Sequence, residues 1–164
     1  MPESRDDYLL LENQVCFPLY AASNLLQRLY RPLLAPLGLT YSQYLVMLLL
    51  WEHERLTVGE IGACLHLDNG TLTPLLKRME RDDFITRRRD PQDERRVLIE
   101  LTVHGGELRA QALTVPGTLA QEISLPLGDV ESLRRSAATL VKLLAKVDRP
   151  RGNIGGPTKN HANQ

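Results

Sequence analysis

The chain is short of the groups that would mark it as a disulfide-stapled, metal-bound or polybasic protein. Two cysteines in 164 residues, Cys16 and Cys64, are too few for a disulfide framework, and neither stands in a CxxC or Cys/His cluster. The four histidines, His53, His66, His104 and His161, are far apart, so no metal-ligand set is spelled out and no cofactor is called for. Twenty basic residues balance twenty acids, which excludes a protein that coats nucleic acid by net charge alone. No apolar run approaches the ~20 residues of a transmembrane helix, and the N-terminus lacks a basic-then-apolar signal pattern. The expectation is a cytoplasmic protein with no membrane partner.

What is present is leucine in helical rhythm and charge in one place. With 43% hydrophobic residues the chain can build one ordinary core unaided. Lys77, Arg78, Arg81, Arg87, Arg88, Arg89, Arg95 and Arg96 place eight of the twenty basic residues in one short window. Glu80, Asp82, Asp83, Asp90, Asp93 and Glu94 share that window, so its excess is only two and geometry matters more than total charge.

The window begins in residues 68–83, DNGTLTPLLKRMERDD, which read as a helix. Asp68 and Asn69 are strong N-cap types, and Leu72, Leu75, Leu76 and Met79 recur at three- and four-residue steps along one face. The other face carries Thr71, Thr73, Lys77, Arg78 and Arg81, hydroxyls first and cations later, which suits a helix entering the DNA major groove. A merely solvated amphipathic helix has the same pattern. Upstream, residues 56–67 read as a short helix with Val58, Ile61, Cys64 and Leu65 turned inward, joined by a tight Leu-Asp-Asn-Gly connection; that is a helix-turn-helix layout. Downstream, residues 84–89 and 97–101 have strand composition and flank the turn-rich DPQDERR, so a two-stranded wing with a charged tip is expected.

The flanks are helical. Residues 1–12 read as a loosely held arm. Residues 13–37 carry an apolar stripe of Leu19, Leu25, Leu26, Leu29, Leu33 and Leu34, broken by Pro36-Leu-Gly38. Thr40 caps a helix expected to run to about Glu54 and to be buried on most sides. Thr102 caps another, with Leu108, Ala112, Leu113 and Leu119 inward and Pro116-Gly117 as a bend or break. Residues 129–147 form the last, with Val130, Leu133, Ala137, Leu140, Val141 and Leu144 on one face. This is more apolar surface than a small lobe can cover, which implies a partner chain. Residues 148–164, rich in Gly, Pro and Asn, are expected to be a disordered tail.

Here a resemblance becomes specific. L-T-x-x-E-I-x-x-x-L from Leu56, D-x-G-T-L-T-P-L-L-K-R-M-E from Asp68, then I-x-R, D-x-x-D-x-R and L-T through Thr102 resemble the MarR family of winged-helix transcriptional regulators. The resemblance implies a mainly α fold with a small β-wing: a winged helix-turn-helix lobe over residues 56–101, and helical segments 13–55 and 102–147 that interlock two chains into a homodimer reading a pseudopalindromic operator in double-stranded DNA. It places Asn69, Thr71, Thr73, Pro74 and Arg78 against the major groove. Asp93 and Arg95 become the wing-tip pair, Arg95 in the minor groove, and Lys77, Arg87, Arg88 and Arg89 candidates for phosphate contacts. One departure is Asp83-Phe84, where many family members have Gly before an aliphatic residue.

The signal is suggested by residues 13–20, NQVCFPLY. Pro18 belongs in a first helical turn, which would leave Cys16 near the positive end of a helix, where a thiolate is favoured. A small buried filler cysteine is the alternative on those grounds alone. NQVCFPLYAASN, RLYRPLL and LTYSQYLVMLLLW, however, resemble the organic hydroperoxide resistance regulator (OhrR) branch of the family. That resemblance implies a reactive Cys16 hydrogen-bonded by Tyr30 and Tyr41, with Tyr20 matching a tyrosine contributed across the dimer. No cysteine occurs between residues 101 and 124, so the chain resembles the one-cysteine type, with Cys64 a packing residue. The implied function is a repressor that releases DNA when an organic hydroperoxide oxidises Cys16, the oxidised thiol then trapped by a small thiol or a backbone nitrogen. The alternatives are a regulator of this family answering to a small aromatic ligand with a structural Cys16, and a thiol peroxidase, which lacks a resolving cysteine.

Overall fold

The structure, a computed structural model, describes residues 6–14, 16–124 and 126–147. The expected tail at 148–164 and the first five residues of the expected arm lie outside them. Residues 6–122 belong to one compact unit and the remainder to a second.

The first unit opens with two short 3-10 turns, Asp6–Leu9 and Leu11–Asn13, whose Tyr8, Leu9, Leu10 and Leu11 are all exposed. Helix α1 spans Cys16–Leu34, so it starts three residues later than the apolar rhythm suggests, and a 3-10 turn over Ala35–Leu37 follows. Gly38, at φ 66°, makes the left-handed exit that ends the segment. Helix α2, Tyr41–Glu52, begins at a reciprocal cap: the Gln43 amide donates to Thr40 Oγ1 and the Thr40 amide donates to Gln43 Oε1. It is the central element, burying Gln43, Tyr44, Val46, Met47 and Leu50.

The expected helix at 56–67 is divided. Its first residues form strand β1, Arg55–Thr57, and α3 covers only Val58–Leu65, capped by Thr57. Leu56 and Thr57 pair with Ile99 and Leu98 of the wing, a long-range partnership that local composition does not reveal. Helix α4, Asn69–Arg81, is capped by Asp68 and buries Leu72, Leu75, Leu76 and Met79, the face read from the sequence. Strands β2, Ile85–Asp90, and β3, Asp93–Leu101, complete an antiparallel sheet of order β1-β3-β2. The wing is therefore longer than expected, and its turn is only Pro91-Gln92. Arg89 pairs with Val97 and Asp90 with Asp93, which bulges Glu94, Arg95 and Arg96 out of the register.

Asp83 takes the left-handed conformation (φ 58°), and behind it the Phe84 amide bonds Met79 O at 3.0 Å, so the cap forms without glycine. Thr102 Oγ1 donates to Asp83 O and caps α5, Val103–Ala112. Gly105 is needed here: a Cβ on it would lie 2.1 Å from Phe84 O. Leu108 and Ala112 are buried as expected, but Leu113 is 70% exposed, because α5 ends at Ala112 and the chain turns so that Val115 is buried in its place. The break thus precedes Pro116, which sits harmlessly in the first turn of α6, Val115–Ile123.

Helix α7, Leu127–Val147, carries the second unit. Val130, Leu133, Ala137, Val141 and Leu144, expected to face inward, are all exposed in the single chain, and Leu140 is only partly covered. The prominent apolar side chains of α1, Phe17, Leu19, Tyr20, Leu25 and Leu29, are exposed as well.

Candidate nucleic-acid interface and redox site

Two surfaces of the first unit carry the chemistry. On the first, α4 presents Asn69, Thr71, Pro74, Lys77 and Arg78 to solvent, with Thr73 half-buried. Thr71 is also part of the cap: its amide and its hydroxyl both donate to the Asp68 carboxylate, at 2.9 Å each. Those bonds hold the Asp68 carboxyl below its usual range. The Thr71 hydroxyl therefore has its lone pairs, not its proton, free for an outside group.

The wing arginines do different jobs. Arg95 is 90% exposed at the bulged tip, with Nε 3.0 Å from Asp93 Oδ1, and this pairing keeps the Asp93 carboxyl below its usual range. Arg87 lies inward, its guanidinium 3.5 Å from Glu80 of α4, and it lines one concave surface with Asn69, Thr73, Arg95 and Arg96. Arg88 shares Glu100 with Arg55, as strand alternation requires of the residue after Arg87. Arg89 donates from Nη1 to Glu94 O at 3.0 Å, bracing the bulge. The three consecutive arginines grouped in the sequence reading thus serve three different surroundings.

The second surface gathers tyrosines. Tyr30 of α1 lies with its ring centroid 4.7 Å from Tyr41 and 5.8 Å from Tyr44, and Tyr44 meets Trp51 edge-on at 6.2 Å. Burial, and for Tyr30 and Tyr44 also neighbouring tyrosines, raises these phenols above their ordinary pKa, and all three are neutral hydrogen-bond donors near pH 7. Tyr44 and Trp51 were not singled out in the sequence. The signal was available for Tyr44, which follows Tyr41 by three residues and shares its helix face.

Cys16 is the first residue of α1 and is exposed, with Pro18 two residues on, as the helix-end argument requires. Tyr20 is 68% exposed. Cys16 and Tyr30, however, lie on one helix fourteen residues apart, about 21 Å along its axis. A hydrogen bond between them inside one chain is excluded, which corrects the simplest form of the expected thiol–tyrosine contact.

Cys64 is a second correction: it is exposed, not packed. Ile61 and Gly62 are the buried residues of α3, and Gly62 abuts Leu67 O and Leu72 of the next helix. With Gly62 included, Val58, Ile61 and Leu65 centre the buried face about 110° away from Cys64. A hydropathy pattern gives glycine no weight, and so places the face too far toward the cysteine.

A helix-turn-helix whose second helix shows polar and basic side chains outward, followed by a ribbon with an arginine at its tip, defines a winged helix-turn-helix protein. The MarR family model matches residues 39–97. The organic hydroperoxide resistance transcriptional regulator of Bacillus subtilis is 49% identical over 142 residues, 87% of this chain and 97% of that protein. The HTH-type transcriptional regulator TtmR of Methylorubrum extorquens is 46% identical over 136 residues, 83% of this chain and 70% of that one. Reduced AbfR bound to DNA, a protein of Staphylococcus epidermidis, matches with TM-score 0.70 and 33% identity over 87% of this chain and 99% of its own. The chain belongs to the MarR family of transcriptional regulators and, within it, groups with the organic hydroperoxide resistance regulators. These relatives are regulators of transcription by name, not enzymes.

Proposed function

We propose that the protein is a cytoplasmic, homodimeric repressor whose operator affinity is abolished when an organic hydroperoxide oxidises Cys16. The observation that carries this reading is the division of one chain's chemistry between the two ends of α1: an exposed cysteine at the start, and a cluster of neutral tyrosine donors about 21 Å away. Two chains related by a two-fold axis, with their α1 helices antiparallel, bring Cys16 of each to the partner's Tyr30 and Tyr41. The exposed apolar faces of α1 and α7 are the surfaces such a dimer would bury.

In this reading the Cys16 thiolate attacks one peroxide oxygen, the S–O bond forms as the O–O bond breaks, and the alcohol leaves after taking a proton. Sulfur is oxidised by two electrons and the hydroperoxide is reduced. The sulfenic acid no longer accepts the tyrosine hydrogen bonds as the thiolate did, and the dimer shifts so that the two α4 helices lose the spacing of the half-sites. Condensation with a small thiol, releasing water, gives a mixed disulfide. On DNA, Asn69, Thr71, Thr73, Pro74 and Arg78 face the major groove, Arg95 the minor groove, and Lys77 and Arg89 the phosphates.

A gel shift on operator DNA with and without an alkyl hydroperoxide tests the reading. Wild type and Cys64→Ser release DNA, while Cys16→Ser binds and ignores the oxidant. Release from Cys16→Ser would remove the sensor assignment, and release by a small aromatic acid alone would favour the ligand-binding alternative.

A further inference from the structure

The bulge at the wing tip leaves Glu94, Arg95 and Arg96 outside the strand register, so side chains rather than ladder hydrogen bonds must hold the tip in place. Arg96 makes the connection to the helix-turn-helix. Its Nη2 lies 4.0 Å from Glu60 Oε1 on α3, and its Nε lies 3.9 Å from Asp90 Oδ2 at the end of β2. Both carboxylates are fixed from behind. Glu60 Oε2 accepts from the Thr57 amide at 2.7 Å and the Thr57 hydroxyl at 2.6 Å, and Asp90 Oδ1 accepts from the Gln92 amide at 2.9 Å. The three charged groups line a cavity of about 410 Å³ beneath the tip, with Arg55 as the other charged side chain there.

We propose that Arg96 is a positioning residue: clasped by Glu60 and Asp90, it ties the bulged tip to the start of α3 and so presents the neighbouring Arg95 to DNA at a set distance from α4. Among the described residues the Arg95 guanidinium is paired with Asp93 of its own strand alone, so its placement relative to α4 depends on where the bulge sits. This inference rests on the reading of the protein as a DNA-binding regulator.

Two acids in the clasp make the test decisive, because simple electrostatics and the clasp predict opposite signs. Removing a negative charge near DNA should by itself tighten binding. Glu60→Gln keeps an acceptor for Thr57, since glutamine serves in the same capping role, and Asp90→Asn keeps one for Gln92. The clasp predicts that each weakens operator binding by roughly two- to five-fold, the range of a partly exposed ion pair, with the salt slope unchanged because no phosphate contact is lost. Arg96→Lys should retain more affinity than Arg96→Gln.

In an Arg95→Ala background Glu60→Gln should cost nothing further, since the residue it positions is gone. Fluorescence anisotropy at several salt concentrations reads all of these on the full-length protein, with circular dichroism melts to establish folding. Tighter or unchanged binding by both Glu60→Gln and Asp90→Asn would overturn the proposal, as would a Glu60→Gln loss that persists undiminished without Arg95. Failure of wild type to bind duplex operator would instead remove the DNA-binding reading.

Discussion

Arg95 and the tyrosine cluster show how far a residue's role depends on its immediate neighbours. Arg95 is exposed and tethered to Asp93, a pairing that pre-forms the side chain without burying it. Arg95→Ala should weaken operator binding strongly and lower the salt slope by about one unit, read by anisotropy across a salt series. Thr71→Ala should relax base preference and also reduce stability modestly, because the hydroxyl is part of the Asp68 cap. The three raised phenols make a different prediction. Above about pH 10 the unfolded chain loses tyrosine protons that the folded chain retains, so the native state binds more protons and stability falls as pH rises. Unfolding midpoints in urea should drop across that range, and Tyr30→Phe should flatten the decline. The reading of Thr71, Lys77 and Arg78 as outward groups came from their spacing, and that of Arg95 from the family resemblance at the wing tip. The exposure of Cys64 came from neither, because it depends on Gly62 being pressed against the neighbouring helix.

Elements were legible where their determinants are local. The caps at Thr40, Asp68 and Thr102 are each a side chain meeting an amide three residues on, and the buried face of α4 is a matter of period. Strand β1 was hidden because three residues have no period of their own and exist as a strand only through pairing with β3. The junction between α4 and α5 offers the cleanest energetic tests. Gly105→Ala puts a Cβ against Phe84 O, and overpacking of backbone should cost about 1–3 kcal/mol or more, seen as a lowered melting temperature. Asp83→Gly relieves a left-handed non-glycine residue and should raise stability by up to about 1 kcal/mol, with DNA binding retained.

At the scale of the whole molecule the question is where the sensing contact lies. If each Cys16 meets the partner's Tyr30, mixing Cys16→Ser with Tyr30→Phe protein creates one site in which an intact cysteine faces an intact tyrosine. Tagged heterodimers should then regain wild-type alkylation and hydroperoxide reactivity at that one Cys16, whereas Tyr30→Phe homodimers react slowly; heterodimers no faster than the Tyr30→Phe homodimer would refute the exchange between chains. The sequence by itself determined where the helices capped by Thr40, Asp68 and Thr102 begin, which face of α4 is buried, and that a charged ribbon follows it, because caps and period act within a few residues. Only the tertiary structure decided that β1 completes the sheet, that three adjacent arginines part company, and that Arg96 is clasped between α3 and the wing turn. Each of those outcomes depends on distances between elements, and such distances are set by packing rather than by any local pattern.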